Sequence, residues 1–341
     1  MDPYSTEYLS RVLRNLRRPP TFFLDTFFPE IERSDAEVIY FDVSDERPMM
    51  TPFCSPVHAG TVVQNEGYTT KSFKPAYAKD KRTIDPEAPL RRVAGETIGG
   101  DMAPVNRERA HIAQTMQRQT RALTRRLEYM AALALRDGAI TVKGENYQTT
   151  NIDFGRDSSL TMTLSSGSQW GDSGVKPLED VEDWCLSAAS LSGTQISDVV
   201  MGPAAWRRFR ESADVQRILD ARRGDLPATM QTVLESADNA VQYMGTDGTR
   251  RYWVYSATVY SPEDDQEVSV LGDNQVVGVS RGVEGVRHFG AIRDPKAGYQ
   301  TAEYWPKSWI TDDPAMRYVM LQSAPLMVPY RPNASFRVTV A

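Results

Sequence analysis

Two serines stand in patterns that nucleophilic catalysis uses. Gly171-Asp172-Ser173-Gly174 has the core of a chymotrypsin-type serine site, with His58 and His111 upstream in the order that chemistry takes. Gly278-Val279-Ser280-Arg281-Gly282 has the spacing of a nucleophile elbow, where a sharp strand-to-helix turn presents the hydroxyl. A serine hydrolase using Ser173 or Ser280 is therefore one reading, and neither frame is complete. Val175-Lys176 follow the first motif where a Gly-rich loop would continue, so a Ser/Gly surface turn accounts for it. The second must feed a helix, which Gly282 and Gly285 disfavour, and only Glu284 lies between Ser280 and His288. The chain has no phosphate loop, dinucleotide fingerprint or zincin motif. Its three histidines, His58, His111 and His288, are dispersed, and the acid pairs Asp264-Asp265 and Asp312-Asp313 fall in turns. These residues predict no enzyme, no cofactor and no metal centre.

Composition sets the class. The 341 residues are 40% hydrophobic and 25% charged, enough for a sizeable core and for two or three domains. A net charge of −6 argues against a dedicated DNA binder and suits solubility. Cys54 and Cys185 imply no disulfide framework and point to a reducing cytosol. Arg11, Arg14, Arg17 and Arg18 are followed by prolines and aromatics instead of the apolar run of a secretory signal. No apolar run approaches the ~18 residues of a membrane span.

The elements that would position any site come next. Tyr4, Tyr8, Leu9, Val12, Leu13 and Leu16 recur at helical spacing, and Pro19-Pro20 ends that helix. Phe22, Phe23, Leu24, Phe27 and Phe28 then crowd together, to be buried either on their own domain or on a neighbouring copy. Residues 39–95 read as a proline-punctuated β excursion whose hairpin needs a surface to lie on. From Pro104 to Arg136 nothing breaks a helix, which spans about 50 Å and ends at Gly138. One of its faces carries Ile112, Met116, Leu123, Leu127, Met130 and Ala134. The other is assigned Arg107, Arg109, Arg118, Arg121, Arg125, Arg126 and Arg136, against only Glu108 and Glu128. Such a face is either solvated or turned to nucleic acid or an acidic partner.

Further along, strands are expected at 140–142, 147–154, 160–164 and 198–201, with helices at 181–191, 204–210 and 214–222. Residues 241–243 should pair with 252–255 across Thr246-Asp247-Gly248, and 268–271 with 275–279 across Gly272-Asp273-Asn274. Residues 304–327 read as an aromatic strand, a turn set by Asp312-Asp313-Pro314, a second strand and a stop at Pro325. This is a mixed α+β chain without repeats.

The stretch from Tyr304-Trp305-Pro306-Lys307-Ser308-Trp309 to Gln322-Ser323-Ala324-Pro325-Leu326-Met327 closely resembles the C-terminal part of lambda-like tailed-bacteriophage major capsid proteins. So do residues 53–60 with Ser55-Pro56, Phe73-Lys74-Pro75-Ala76-Tyr77, Pro89-Leu90-Arg91-Arg92 and Leu219-Asp220-Ala221-Arg222-Arg223-Gly224, in the same order. The resemblance is weak before residue 36 and through residues 260–275. It implies the Hong Kong 97 capsid fold: an N-terminal arm (1–38), an extended loop (39–95), a peripheral domain (96–176) with a spine helix at 104–137, an axial domain (177–300), and C-terminal strands (301–341) returning to the core. It further implies pentamers and hexamers of one chain closing an icosahedral head, with portal and scaffold proteins and a decoration protein at three-fold sites. The head would enclose double-stranded DNA without reading its sequence. Assembly would take place in the host cytoplasm, and the protein would end in the virion. On that reading Phe22, Phe23, Phe27, Phe28, Tyr68, Phe73 and Tyr77 are candidate contacts between copies, and Arg118, Arg121 and Arg125 a candidate lumen-facing basic face. A cellular nanocompartment shell of the same fold is the alternative that these blocks disfavour.

Overall fold

The computed structural model describes residues 4–44 (except 17, 20 and 37), 68–73, 75–85, 87, 103–144, 147–216, 241–313 and 316–341. Residues 53–63, Lys74, 89–92 and 219–224, with Cys54 and His58, lie outside the described residues.

The arm begins with α1 (Thr6–Asn15), whose Ser5 side chain accepts the Tyr8 N–H as an N-cap. A one-turn helix α2 (Phe23–Phe27) and strand β1 (Glu30–Arg33) follow. Strands β2 (Ile39–Ser44) and β3 (Tyr68–Phe73) form the expected antiparallel hairpin, and β4 (Ala78–Ile84) leads back toward the body. The long helix α3 (Pro104–Asp137) starts on a proline that needs no N–H partner. It stops at Gly138, whose φ of 66° only glycine adopts without strain. Arg156 donates to the last carbonyls, Leu135 O at 2.7 Å and Arg136 O at 2.8 Å, and burial lowers its pKa to about 10. It is a cationic cap at the negative end of the helix dipole.

Hairpin β5 (Ala139–Gly144) with β6 (Tyr147–Asp153) comes next, then β7 (Thr161–Thr163), α4 (Pro177–Ser192), β8 (Asp198–Met201) and α5 (Pro203–Glu211). The helix expected at 214–222 is helical as far as residue 216, beyond which the described residues end. Strands β9 (Val241–Thr246) and β10 (Arg251–Tyr255) pair as the turn residues predict. The 268–271 hairpin is a correction. Strand β11 (Thr258–Ser261) takes β12 (Gln266–Ser269) as its partner, while β13 (Gln275–Val279) lies between β8 and a later strand. The reason is burial: Val270 and Leu271 are core residues, and both faces of β13 are covered, which pairing with the exposed β12 would forbid.

The chain finishes with β14 (Gly285–Phe289), β15 (Trp305–Thr311), β16 (Met316–Ser323), β17 (Pro325–Pro329) and β18 (Ser335–Thr339). The pairing of β15 with β16 was legible. Pro325 opens β17 instead of stopping the chain, because its missing N–H falls at the first residue of a strand.

Beside the two-stranded pairs β2-β3, β5-β6 and β11-β12, three larger sheets organise the described strands. The largest runs β7-β18-β13-β8-β10-β9; the others are β1-β14-β17 and β15-β16-β4. Alternation along the large sheet splits its side chains between two clusters. Val199, Met201, Tyr252, Val276, Phe336 and Val338 face residues of α4 and α5, including Trp184 and Phe209. Val200, Tyr255, Val277 and Val279 face α2 and the C-terminal half of α3. A third cluster packs α1 and the N-terminal half of α3 on the β15-β16-β4 sheet through Leu9, Ile84, Ile112, Met116 and Val319. The long helix thus joins two sheet bodies that share no strand.

Candidate functional site

The aromatic segment after the arm helix is held in place from both ends. Glu128, on the buried side of α3, accepts the backbone N–H groups of Phe22 (3.0 Å), Phe23 (2.9 Å) and Leu24 (2.9 Å) and the Tyr255 hydroxyl (3.1 Å). These are the orphan donors at the start of α2. At its other end Arg287 of β14 donates to Phe28 O (2.6 Å) and Leu24 O (2.9 Å) and pairs with Asp25 (3.1 Å). An acid at the N-terminus and a guanidinium at the C-terminus both match the helix dipole. Burial pushes the Glu128 carboxyl up, against the pull of its N–H and hydroxyl donors. Burial also raises the Tyr255 phenol, with Glu128 beside it adding to the shift.

This arrangement corrects the assignment of the phenylalanines. Phe22 (8% exposed), Phe23 (2%), Phe27 (2%) and Phe28 (0%) are buried in their own chain and leave nothing for a neighbour to grip. Strand β1 then joins β14 in parallel, Glu30 opposite Val286, so the arm's last residues are part of a sheet. Glu128 itself was misplaced among the charges of the solvent face. Its signal was local: an acid four residues after buried Thr124 and three before buried Ala131 lies on the apolar stripe.

Phe73, also read as a contact between copies, is buried in the same core. Tyr77 is half-buried and donates to Ala291 O at 2.6 Å, while its oxygen accepts the Arg293 N–H. Lys71 donates to Asp153 O at 2.7 Å, fixing the hairpin to β6. The described parts of the extended loop are therefore anchored on their own subunit. Tyr68 begins β3, and its side chain lies outside the described residues.

Arg118, Arg121 and Arg125 are exposed on one side of α3, as their spacing requires. Arg126 leaves that set by pairing with Glu263, and Arg136 by pairing with Asp137 and donating to Val270 O.

The serine frames do not assemble. Ser173 is in an exposed loop where the Asp172 carboxylate accepts Gly167 and Gln169 N–H groups and so acts as a turn former. Ser280 is 3% exposed, and its oxygen accepts the Gly282 N–H. Three residues of 3-10 turn and then β14 follow it, where an elbow requires a helix. His288 stands by Tyr330 (3.2 Å) and Glu32 (3.7 Å), and His111 is on α3. Burial pushes the Cys185 thiol up to about 12, which removes it as a nucleophile. Among the described residues no three His, Cys, Asp or Glu side chains form a group able to hold a metal.

The phage major capsid protein E family matches residues 5–340. The chain belongs to that family. The major capsid protein of Escherichia phage lambda is 30% identical over 100% of both chains, and that of Enterobacteria phage phi80 is 28% identical over 100% of both. Among solved structures, a putative capsid protein of an Escherichia coli CFT073 prophage superposes with a TM-score of 0.75 at 26% identity, covering 99% of each chain. The capsid of Ralstonia phage GP4 superposes at 0.55 over 95% of this chain and 92% of that one, at 12% identity, a likeness of fold alone. The architecture is the Hong Kong 97 capsid fold. As a family member the chain is a tailed-phage major capsid protein, a structural subunit of an oligomeric icosahedral shell, and its place is the virion. Among the described residues no helix is long and apolar enough to cross a membrane.

Proposed function

We propose that copies of this chain assemble as pentamers and hexamers into a closed head around a portal and a scaffold, and that the head encloses double-stranded DNA without reading its sequence. A decoration protein at the three-fold sites belongs to the same reading, as does the division into arm (1–38), extended loop (39–95), peripheral domain (96–176), axial domain (177–300) and returning strands (301–341). Hydrolysis at Ser173 or Ser280 has no part in it. The role is mechanical: each copy contributes several modest contacts, and closed symmetry multiplies them.

The observation that carries the reading is the family match over residues 5–340 together with the α3 bridge. One helix of about 50 Å joins the β15-β16-β4 body to the large-sheet body, so force on either passes to the other along a single rigid element. The exposed row Arg118, Arg121 and Arg125 is assigned to the lumen, where sequence-independent phosphate contact needs only positive charge. Electron microscopy of the full chain expressed alone, and again with its scaffold, tests the proposal. Closed isometric shells are expected; a chain that stays monomeric under both conditions refutes it. The nanocompartment alternative shares the fold, and DNA content of particles from an infection separates the two.

A further inference from the structure

The outer layer of the large sheet presents two helix faces that fit each other and not themselves. On α4, Val181, Trp184, Cys185 and Ala188 are buried, while Glu182, Asp183, Leu186 and Ser190 form an exposed stripe. Leu186 is 66% exposed, the most of any large apolar side chain among the described residues. Four of the eight residues from Pro177 to Trp184 are acidic; Lys176 (2.6 Å from Glu179) and Arg250 (3.9 Å from Glu182) offset them in part. On α5, Arg207 and Arg210 are exposed beside half-buried Trp206, whose ring stacks on buried Phe209 at 5.8 Å; exposed Glu211, one turn from Arg207, offsets their charge in part. Each face has an apolar centre with charge beside it, and the signs are opposite. That is the anatomy of an interface core with a polar rim.

The faces sit at separate places on the sheet. α4 packs on β18 and α5 on β10, with β13 and β8 between those strands. A two-fold contact of α4 with α4 would set carboxylates against carboxylates, and α5 with α5 would set guanidinium against guanidinium. A head-to-tail contact satisfies both, and repeated head-to-tail contacts close a ring. The other exposed basic row, Arg118, Arg121 and Arg125, is on α3, which packs on the opposite side of the large sheet.

We propose that in each ring the α4 stripe of one copy docks on the α5 face of the next, with Leu186 against Trp206 and Glu182 and Asp183 against Arg207 and Arg210. This rests on the capsid reading and names the surface by which neighbours in one ring recognise each other. The test is a charge swap in the full chain, scored by sedimentation and negative-stain microscopy, beside wild type in the same run. E182R/D183R and R207E/R210E are each expected to lower shell yield at least tenfold with unchanged melting temperature. The quadruple variant, which restores opposite signs, is expected to return to within threefold of wild type. Normal yield from either single-face variant overturns the proposal, and so does a quadruple variant no better than its parents. Rescue of E182R/D183R by R118E/R121E/R125E in place of the α5 change also overturns it. Wild type that never leaves the monomer sinks the capsid reading itself, whereas wild-type shells with indifferent variants sink this interface alone.

Discussion

Removing the Glu128 side chain should detach the aromatic segment from the helix that holds it. Glu128→Ala leaves three backbone N–H groups and the Tyr255 hydroxyl without their acceptor in a buried site. Each orphaned buried donor costs roughly 1–3 kcal/mol, and the matched helix dipole adds a few tenths to about 2 kcal/mol. Water entering the vacated space recovers part of this, so the expected loss is about 3–5 kcal/mol, the range for breaking a buried charged partnership. Glu128→Gln should cost less, about 1–3 kcal/mol, because one oxygen still accepts from Phe22, Phe23 and Tyr255 while the new amide opposes the Leu24 N–H. The assay is urea denaturation of the unassembled chain, with hydrogen exchange read on residues 21–28. Arg125→Ala is the exposed control, expected to stay within about 0.5 kcal/mol. Acid is not expected to mimic the substitution. The carboxyl's folded value is raised, so the pH-dependent part of its contribution is full below the unfolded value near 4.5 and is lost as pH rises through the folded one, while the accepted hydrogen bonds persist. An alanine variant with an unchanged urea midpoint, and amides of Phe22 to Leu24 still protected, would refute the clamp.

Gly285→Ala should act on the same segment from the other side, since a Cβ there meets the Phe27 carbonyl and the Phe28 ring; a loss of about 1–3 kcal/mol and faster exchange at 21–28 are expected by the same assays. His288 is pushed down by burial, against the upward pull of Glu32, so its stabilisation is present above its ordinary value near 6.5 and lost as pH falls through the folded one. His288→Gln should therefore flatten the decline in urea midpoint as pH falls below 6.5, and an unchanged slope counts against the assignment. Reversing Arg118, Arg121 and Arg125 to Glu should leave the melting temperature almost unmoved and lower DNA packaging or assembly; a large melting shift with normal filled-particle yield contradicts the lumen assignment. Deleting residues 1–16 should leave a folded chain, whereas deletion through residue 30 should not fold, which circular dichroism and urea titration distinguish.

The elements with strong local signals were legible: the uninterrupted α3 with its proline start and glycine stop, the β9–β10 hairpin around Asp247-Gly248, and the β15–β16 pair around Asp312-Asp313. What sequence spacing could not supply was the choice between equally good local partners. Residues 268–271 and 275–279 flank a good turn, yet β13 goes to β8 and β18 because only there are both of its faces buried. The phenylalanine cluster had to be buried somewhere, and nothing short of three dimensions brings Glu128 and Arg287, one about a hundred residues away and the other more than two hundred and fifty, to its two ends. Resemblance supplied the architecture; it did not supply those two side chains.

Those side chains limit how a shell of this protein can rearrange. A segment tied at one end by a buried acid and at the other by a buried guanidinium, then continued into a sheet strand, moves only if several buried polar groups lose their partners together. Among the described residues helix α1 has no tie to a buried acid or guanidinium of that kind. Tyr4 and Leu9 hold it to α3 and the β15-β16-β4 body by apolar contact, with a hydrogen bond from the Tyr4 hydroxyl to Glu108 and the Arg317 guanidinium over the Tyr4 ring. Apolar contacts of this kind can be exchanged for similar contacts on another copy at small net cost, while orphaned buried donors cannot. An arm that re-docks during a change of shell size should therefore pivot after residue 16 and carry α1 alone, with residues 21–33 staying fixed to their own subunit.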